Sequence, residues 1–137
     1  MVFGVLALLI VALIIANGWA IINAKFAVTS ASREATRTFV EVVRGGGDVD
    51  SALQQAQTEA QNVLHGYGRN MTLSLDADAI SGDRCDRVTI TVDYSVPFII
   101  LPGVTHGASF QVSAAHSERV DPYRSGITGE AACANEN

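Results

Sequence analysis

The stretch VFGVLALLIVALIIANGWAIINA, residues 2–24, carries no charged side chain and decides the topology of the chain. All 9 basic and 14 acidic residues of the protein follow it. A helix needs about 20 apolar residues to cross the ~30 Å hydrocarbon core of a bilayer. We therefore predict that residues 1–24 form one transmembrane helix and that the rest of the chain lies in water.

A cleaved secretory signal is the competing interpretation of this stretch. Such a signal begins with basic residues, has an apolar core of ~7–15 residues and ends at a small-residue cleavage site. Here no basic residue precedes the apolar run, and the run is longer than a signal core. The sequence favours a retained anchor, and the missing basic start leaves open that a leader upstream of Met1 has been removed.

The helical pattern continues beyond the predicted span. Residues 25–44 contain neither proline nor glycine, and their apolar residues recur at helical spacing. Gly45–Gly47 should end this helix, because consecutive glycines readily adopt positive φ. Asp48 or Asp50 then offers an N-cap for a second helix over about residues 49–65. We predict a helical hairpin over residues 25–66, with the glycines as its hinge.

Beyond this hairpin the period of hydrophobicity changes to two, which is typical of half-buried strands. Apolar and polar residues alternate over residues 71–77, 88–96 and 110–115. Residues 67–121 are therefore predicted to form an antiparallel meander of three to four strands whose apolar face packs on the helices. Residues 122–137 are small and polar and are predicted to form a flexible tail. The predicted class is α+β.

Four adjacent apolar residues interrupt the strand pattern between two prolines. They are Phe98, Ile99, Ile100 and Leu101. Two interpretations remain open: this segment caps the core, or it forms an exposed docking loop.

The two cysteines and the flanking charges point to opposite sides of the membrane. Cys85 and Cys133 are an even pair in a small domain, which fits one disulfide on an oxidising face, although the sequence does not show that they bond to each other. Lys25, Arg33 and Arg37 follow the span, and the positive-inside rule would place them in the cytoplasm. The residues alone leave the orientation open.

A stripe of small residues follows one slowly winding face of the long helix. It comprises Ala12, Ala16, Ala20, Ala24, Ala27 and Ala31, and it continues to Ala35. Small residues let helices approach closely in lipid. The stripe is therefore a candidate helix-packing interface with sister helices, although alanine is also simply common in helices.

Catalytic and ligand-binding chemistry finds little support in the sequence. His65, His106 and His116 fall in three separate elements, and no nucleophile elbow, HExxH or phosphate-loop motif is present. The net charge of −5 argues against nucleic acid as a partner. We predict a protein without enzymatic activity, cofactor, metal or small-molecule substrate.

Two segments resemble the TadE/TadG-like pseudopilins of bacterial tight-adherence (Tad, or Flp) pilus systems. Asn23–Lys25 and Ala31–Arg37 are similar to the family's Asn-Ala-Ala-Arg-Glu-Gly-Ala-Arg segment after the span, and Val88–Tyr94 looks like its second strand. The resemblance covers Val2 to about Val120. It implies a pilin-like fold, a bacterial single-pass membrane location with an extracytoplasmic C-terminal domain, and a minor pseudopilin that contributes to pilus assembly and adhesion. Its implied partners are other pilin-like subunits or Tad assembly proteins.

One departure from prepilin-like sequences concerns the start of the helix. Such sequences often carry an acidic residue near the fifth position of the mature helix, where this chain has Val5. Either the landmark lies upstream of Met1 or this member lacks it. The alternative function is a membrane-tethered extracytoplasmic binding domain unrelated to pili.

Overall fold

The computed structural model describes residues 2–65, 71–75, 85–97 and 109–120. Two helices come first and strands follow, as predicted. The elements are α1 (Val2–Arg44), α2 (Val49–Val63), β1 (Met71–Leu75, backbone only), β2 (Arg87–Pro97) and β3 (Ser109–Arg119). The α+β class, with a long apolar N-terminal helix, a second helix and an antiparallel sheet, is confirmed. The docking-loop segment, the tail, His106 and Cys133 lie outside the described residues.

Helix α1 is one uninterrupted element of 43 residues, which at 1.5 Å per residue is about 65 Å long. Its two halves have different surroundings. Residues 2–19 are almost entirely exposed, whereas the buried residues of α1 all lie between Ala24 and Phe39. We call the part of the chain from Ala24 onward the head, because its core is built around the second half of α1.

The sheet has the order β1-β2-β3, and both pairs are antiparallel. In β2 every second side chain is buried, as the period-two pattern predicts: Val88, Ile90, Val92, Tyr94 and Val96. Helix α1 packs across β2 and β3 on this side and against α2 on another. The core of the head therefore lies between one sheet face and the helical hairpin.

Three glycines end α1 in a hydrogen-bonded turn. The Gly46 N–H donates to the Val43 carbonyl at 3.0 Å, and the Gly47 N–H donates to the Val42 carbonyl at 2.9 Å. This pair of bonds, with Gly46 at φ +86°, is a Schellman motif. The predicted end of the helix is confirmed, and the turn leaves only four residues, 45–48, between α1 and α2.

The three glycines should differ sharply in their tolerance of alanine. A Cβ on Gly47 would lie 2.6 Å from Val42 Cγ1 and 3.0 Å from the Val42 oxygen, so Gly47→Ala should cost about 1–3 kcal/mol through overpacking. Gly46→Ala should cost about 1 kcal/mol because alanine is strained at positive φ. Urea unfolding of the three single variants measures these differences.

Gly45→Ala is the matched control for this series. The nearest atoms to a Cβ there are carbonyl oxygens at 3.4 Å, which is ordinary contact, and its φ is not positive. Its free energy of unfolding should stay within about 0.5 kcal/mol of the parent value. Equal losses at all three positions would contradict the Schellman assignment.

Helix α2 begins at a complete N-cap. The Asp48 carboxylate accepts the Ser51 N–H at 2.7 Å, and the Ser51 hydroxyl donates back to the Asp48 carbonyl at 3.0 Å. Of the two predicted candidates, Asp48 is therefore the cap. On the inner face of α2, Ala52, Ala56, Ala60 and Leu64 are buried. Leu53 is half-buried and Val63 is exposed, so the buried stripe runs through the alanines.

The Asp48 cap should make stability depend on pH on the acid side. The Ser51 N–H holds the pKa of Asp48 below its usual value. The cap's contribution should therefore be full above the ordinary carboxyl pKa and should vanish as the pH falls through the lowered value. In Asp48→Asn, which caps without titrating, unfolding followed by circular dichroism should show a smaller acid-side loss than in the parent. Equal losses in both proteins would contradict this assignment.

Candidate assembly surface

The first half of α1 is an apolar surface that the rest of the chain does not cover. Phe3 is 86 % exposed, and Ile14, Ile15 and Trp19 are each 66 % exposed. The helix is long and apolar enough to cross a membrane, and none of its most apolar window is buried. Apolar area of this extent on one element is unfavourable in water, so this half of α1 needs lipid or protein around it.

A polar side chain within this half is satisfied by the helix itself. The Asn17 side-chain amide donates to the Leu13 carbonyl at 2.9 Å, one turn earlier. Hydrogen bonding of this kind reduces the cost of placing an amide in hydrocarbon. Asn17 is thus compatible with a membrane span.

The predicted alanine interface divides between two environments. Ala12 and Ala16 are exposed, Ala20 is half-buried, and the next three positions of the stripe lie in the head's own core. These are Ala24 at 1 %, Ala27 at 7 % and Ala31 at 0 % exposure. The predicted packing surface for sister helices is therefore corrected to Ala12 and Ala16, with Ala20 at its edge.

Alanines from both helices explain how α1 and α2 approach each other. Ala31 and Ala35 on α1, and Ala52, Ala56 and Ala60 on α2, are at most 1 % exposed. Small side chains on facing helices allow close backbone approach, as they do between helices in lipid. The small-residue stripe therefore serves intrachain packing in its second half.

Two hydroxyl side chains on α1 lie in the interior beside β3. Ser32 and Thr36 are 1 % and 0 % exposed, and the Ser32 hydroxyl donates to the Thr29 carbonyl at 3.0 Å. The Thr36 hydroxyl lies 2.7 Å from the Ser32 carbonyl and 3.2 Å from the His116 carbonyl. Its one hydrogen is shared between helix and strand, so this buried polar group is satisfied and fixes α1 against β3.

A second tie between α1 and β3 lies nearer the span. The Lys25 ammonium donates to the Ser113 carbonyl. The Val120 N–H donates towards β2, and backbone polar groups along a strand point to alternate sides, so the Ser113 carbonyl faces the other edge of β3. Lys25 thus covers part of an edge whose polar groups would otherwise be open to another strand. Sequence analysis missed both ties, since hydroxyls at positions 32 and 36 are their only sequence signal.

Cys85 occupies an unusual backbone position before β2. Its φ is +78°, its N–H donates to the Val120 carbonyl at 2.8 Å, and the Val120 N–H donates to the Asp86 carbonyl at 2.9 Å. Cys85 and Asp86 therefore oppose the single residue Val120 in a β-bulge whose first position is usually glycine. The predicted partner Cys133 lies outside the described residues, so the pairing stays a prediction.

Reactive side chains do not gather into a site in the part of the chain that the structure describes. No group of three or more His, Cys, Asp or Glu side chains there is placed to hold a metal ion. His65 is exposed, and the half-buried His116 lies 3.3 Å from Glu118, two residues along the same strand. A shallow depression at the helical turn is lined by Glu41, Arg44 and Gly45, which include no nucleophile. The surfaces with functional potential are therefore those that bind lipid or protein.

Charges on the exposed side of the head are arranged within the helix. The Arg37 guanidinium contacts the Glu41 carboxylate at 2.9 Å, which confirms the predicted i,i+4 pair and raises the pKa of Arg37. Both side chains are mostly exposed, so the pair contributes little to stability. This side of α1 is an ordinary solvated face.

Comparison with known proteins does not add a relative. Scans against protein-family models, curated proteins and solved structures each found no match. The likeness to TadE/TadG-like pseudopilins therefore stays a resemblance of short sequence segments, and function is argued from the surfaces above.

Proposed function

We propose that this chain is a membrane-anchored minor pseudopilin that contributes to assembly of a Tad-type pilus. One observation carries the proposal. A single 43-residue helix is bare and apolar in its first half and forms the core of an α+β head in its second. A helix with this division anchors a small domain and offers a lateral surface to other membrane helices.

The proposed fold of the head is pilin-like, with a meander of three to four strands. The order β1-β2-β3, with α1 packed across β2 and β3, supports it. In this arrangement α1 is shared between the membrane and the head, so movement of the span moves the head with it. That rigidity suits a subunit whose position in an assembly is set by its membrane helix.

The head is proposed to lie outside the bacterial cytoplasm. The cysteine pair favours an oxidising compartment, and the strained backbone of Cys85 strengthens this argument. Glycine would adopt φ +78° with less strain, so the cysteine side chain itself has a use there. We propose that this use is a disulfide with Cys133, which would hold the chain's C-terminal residues to the start of β2.

Deletion of the gene tests the assembly role. Loss of surface pili and of adhesion, restored by the parent gene on a plasmid, is the expected result in electron micrographs and adhesion assays. Normal piliation in the deletion strain would contradict the proposal. No enzymatic activity, cofactor or small-molecule substrate is part of it.

The alternative is a tethered extracytoplasmic binding domain unrelated to pili. It needs the span only as an anchor, whereas a pseudopilin needs the exposed alanine face as well. A strain whose pili survive deletion, and whose protein still reaches the membrane, would favour this alternative. The two functions are separated most sharply by bulky substitutions on that face, argued in the Discussion.

A further inference from the structure

The two ties between α1 and β3 fix the direction of the strand relative to the membrane. Lys25 bonds the Ser113 carbonyl, and Thr36, eleven residues further from the span, lies at the His116 carbonyl. As the chain of α1 leaves the span, β3 therefore runs alongside in the same sense. The first residues of β3 lie nearer the membrane, and Val120 and Cys85 lie further away.

The depth of the near end follows from strand and helix dimensions. From His116 back to Phe110, β3 covers roughly 20 Å at ~3.3 Å per residue, which is the rise of about 13 helical residues. Counted back along α1 from Thr36, this reaches about Asn23 for an aligned strand and the level of Lys25 for an inclined one. The paired ends Pro97 and Ser109 lie at this level as well.

The side chains at this level have the character of an interfacial band. Phe110 shares the helix-facing side of β3 with Val112, yet it is 46 % exposed, while its cross-strand partner Val96 is 7 % exposed. On α1, Trp19 and Phe26 are 66 % and 69 % exposed. Exposed aromatic rings beside a lysine are what the boundary between headgroups and acyl chains favours.

The packing of the head reaches the same boundary from the other direction. Ala20 and Ile21, which belong to the uncharged stretch 2–24, already pack against the core cluster of the head. Hence no bare length of helix separates the span from the head. The segment between Pro97 and Ser109, whose sequence holds Phe98 to Leu101, starts and ends at this level.

We infer that the Pro97–Phe110 end of the β2–β3 hairpin rests in the headgroup region of the bilayer that α1 crosses. The occupant of this apolar surface is lipid, since the surface is continuous with the span through Trp19 and Phe26. The inference rests on the proposed membrane anchor and deepens it. The head sits on the membrane at two places, the helix and the hairpin end, and the second contact limits its rotation about α1.

Tryptophan fluorescence in vesicles tests this contact. Trp19 is the chain's single tryptophan, so Trp19→Phe gives a blank background for Phe110→Trp or for Ser109→Trp. The full-length proteins are reconstituted in phosphatidylcholine with a minor share of phosphatidylglycerol, with and without lipid brominated near the headgroup. A tryptophan at position 110 should lose about half or more of its emission to bromolipid, as an interfacial aromatic would.

Two controls separate this inference from the anchor itself. Gln54→Trp in the same background places the probe on the exposed face of α2 near the glycine turn, away from the membrane, and should be unaffected by bromolipid. Native Trp19 should be quenched. Quenching of Trp19 without quenching at positions 110 and 109 overturns the hairpin contact alone. An unquenched Trp19 overturns the anchor and the hairpin contact together.

Discussion

Phe39→Ala is expected to lower the free energy of unfolding of the head by about 3–5 kcal/mol, the range for removing a large aromatic side chain from a core. Phe39 is fully buried near the end of α1, and it is the largest of the completely buried side chains in the described part of the chain. Its loss would leave a cavity among side chains of α1, α2 and the sheet. Urea unfolding of the full chain in detergent micelles, followed by circular dichroism, measures the change.

Phe26→Ala is the matched control for this substitution. It removes the same side chain from the same helix at a site that is 69 % exposed, so the head should lose less than about 0.5 kcal/mol. If Phe26→Ala destabilised the head as much as Phe39→Ala, the division of α1 into a bare half and a core half would be wrong. Equal and small effects of both changes would contradict the core itself.

The contrast between the two phenylalanines shows what the sequence can reveal about this fold. The charge-free run, the glycines and the period of two in residues 88–96 each report a local preference of the backbone. They therefore predicted the bounds of α1, the start of α2 and the buried side of β2 well. They also placed the N-cap at one of two aspartates, because a cap is a local feature.

Features that depend on long-range packing escaped sequence analysis. The stripe from Ala12 to Ala31 has one chemical character throughout, and only the position of α2 and the sheet decides which alanines are covered. The same holds for Thr36, whose bond to the His116 carbonyl joins residues 80 apart in sequence. The positive φ of Cys85 had no sequence signal at all, because glycine is the usual occupant of that bulge position.

The corrected interface leads to the prediction with the largest functional effect. Ala12→Leu and Ala16→Leu, singly and combined, should abolish assembly with other helices while leaving the head folded. Each adds bulk on an exposed, small-residue face where close helix approach is needed. We expect the double variant to reach the membrane at the parent level yet fail to restore pili in the deletion strain, as scored by electron microscopy. Disulfide or photochemical crosslinks to neighbouring helices through this face should disappear in parallel.

Ile14→Phe is the control for added bulk in the span. Position 14 lies on the side of α1 opposite Ala12 and Ala16, at 100° per residue, and is 66 % exposed, so its enlargement should leave assembly intact. Ala20→Leu is less suitable, because Ala20 also packs against the head and its loss would mix folding with assembly. If the double leucine variant assembles normally while Ile14→Phe does not, the contact face is on the other side of the helix. If both assemble normally, α1 is an anchor alone, and the head of a tethered binding domain becomes the better account of this chain.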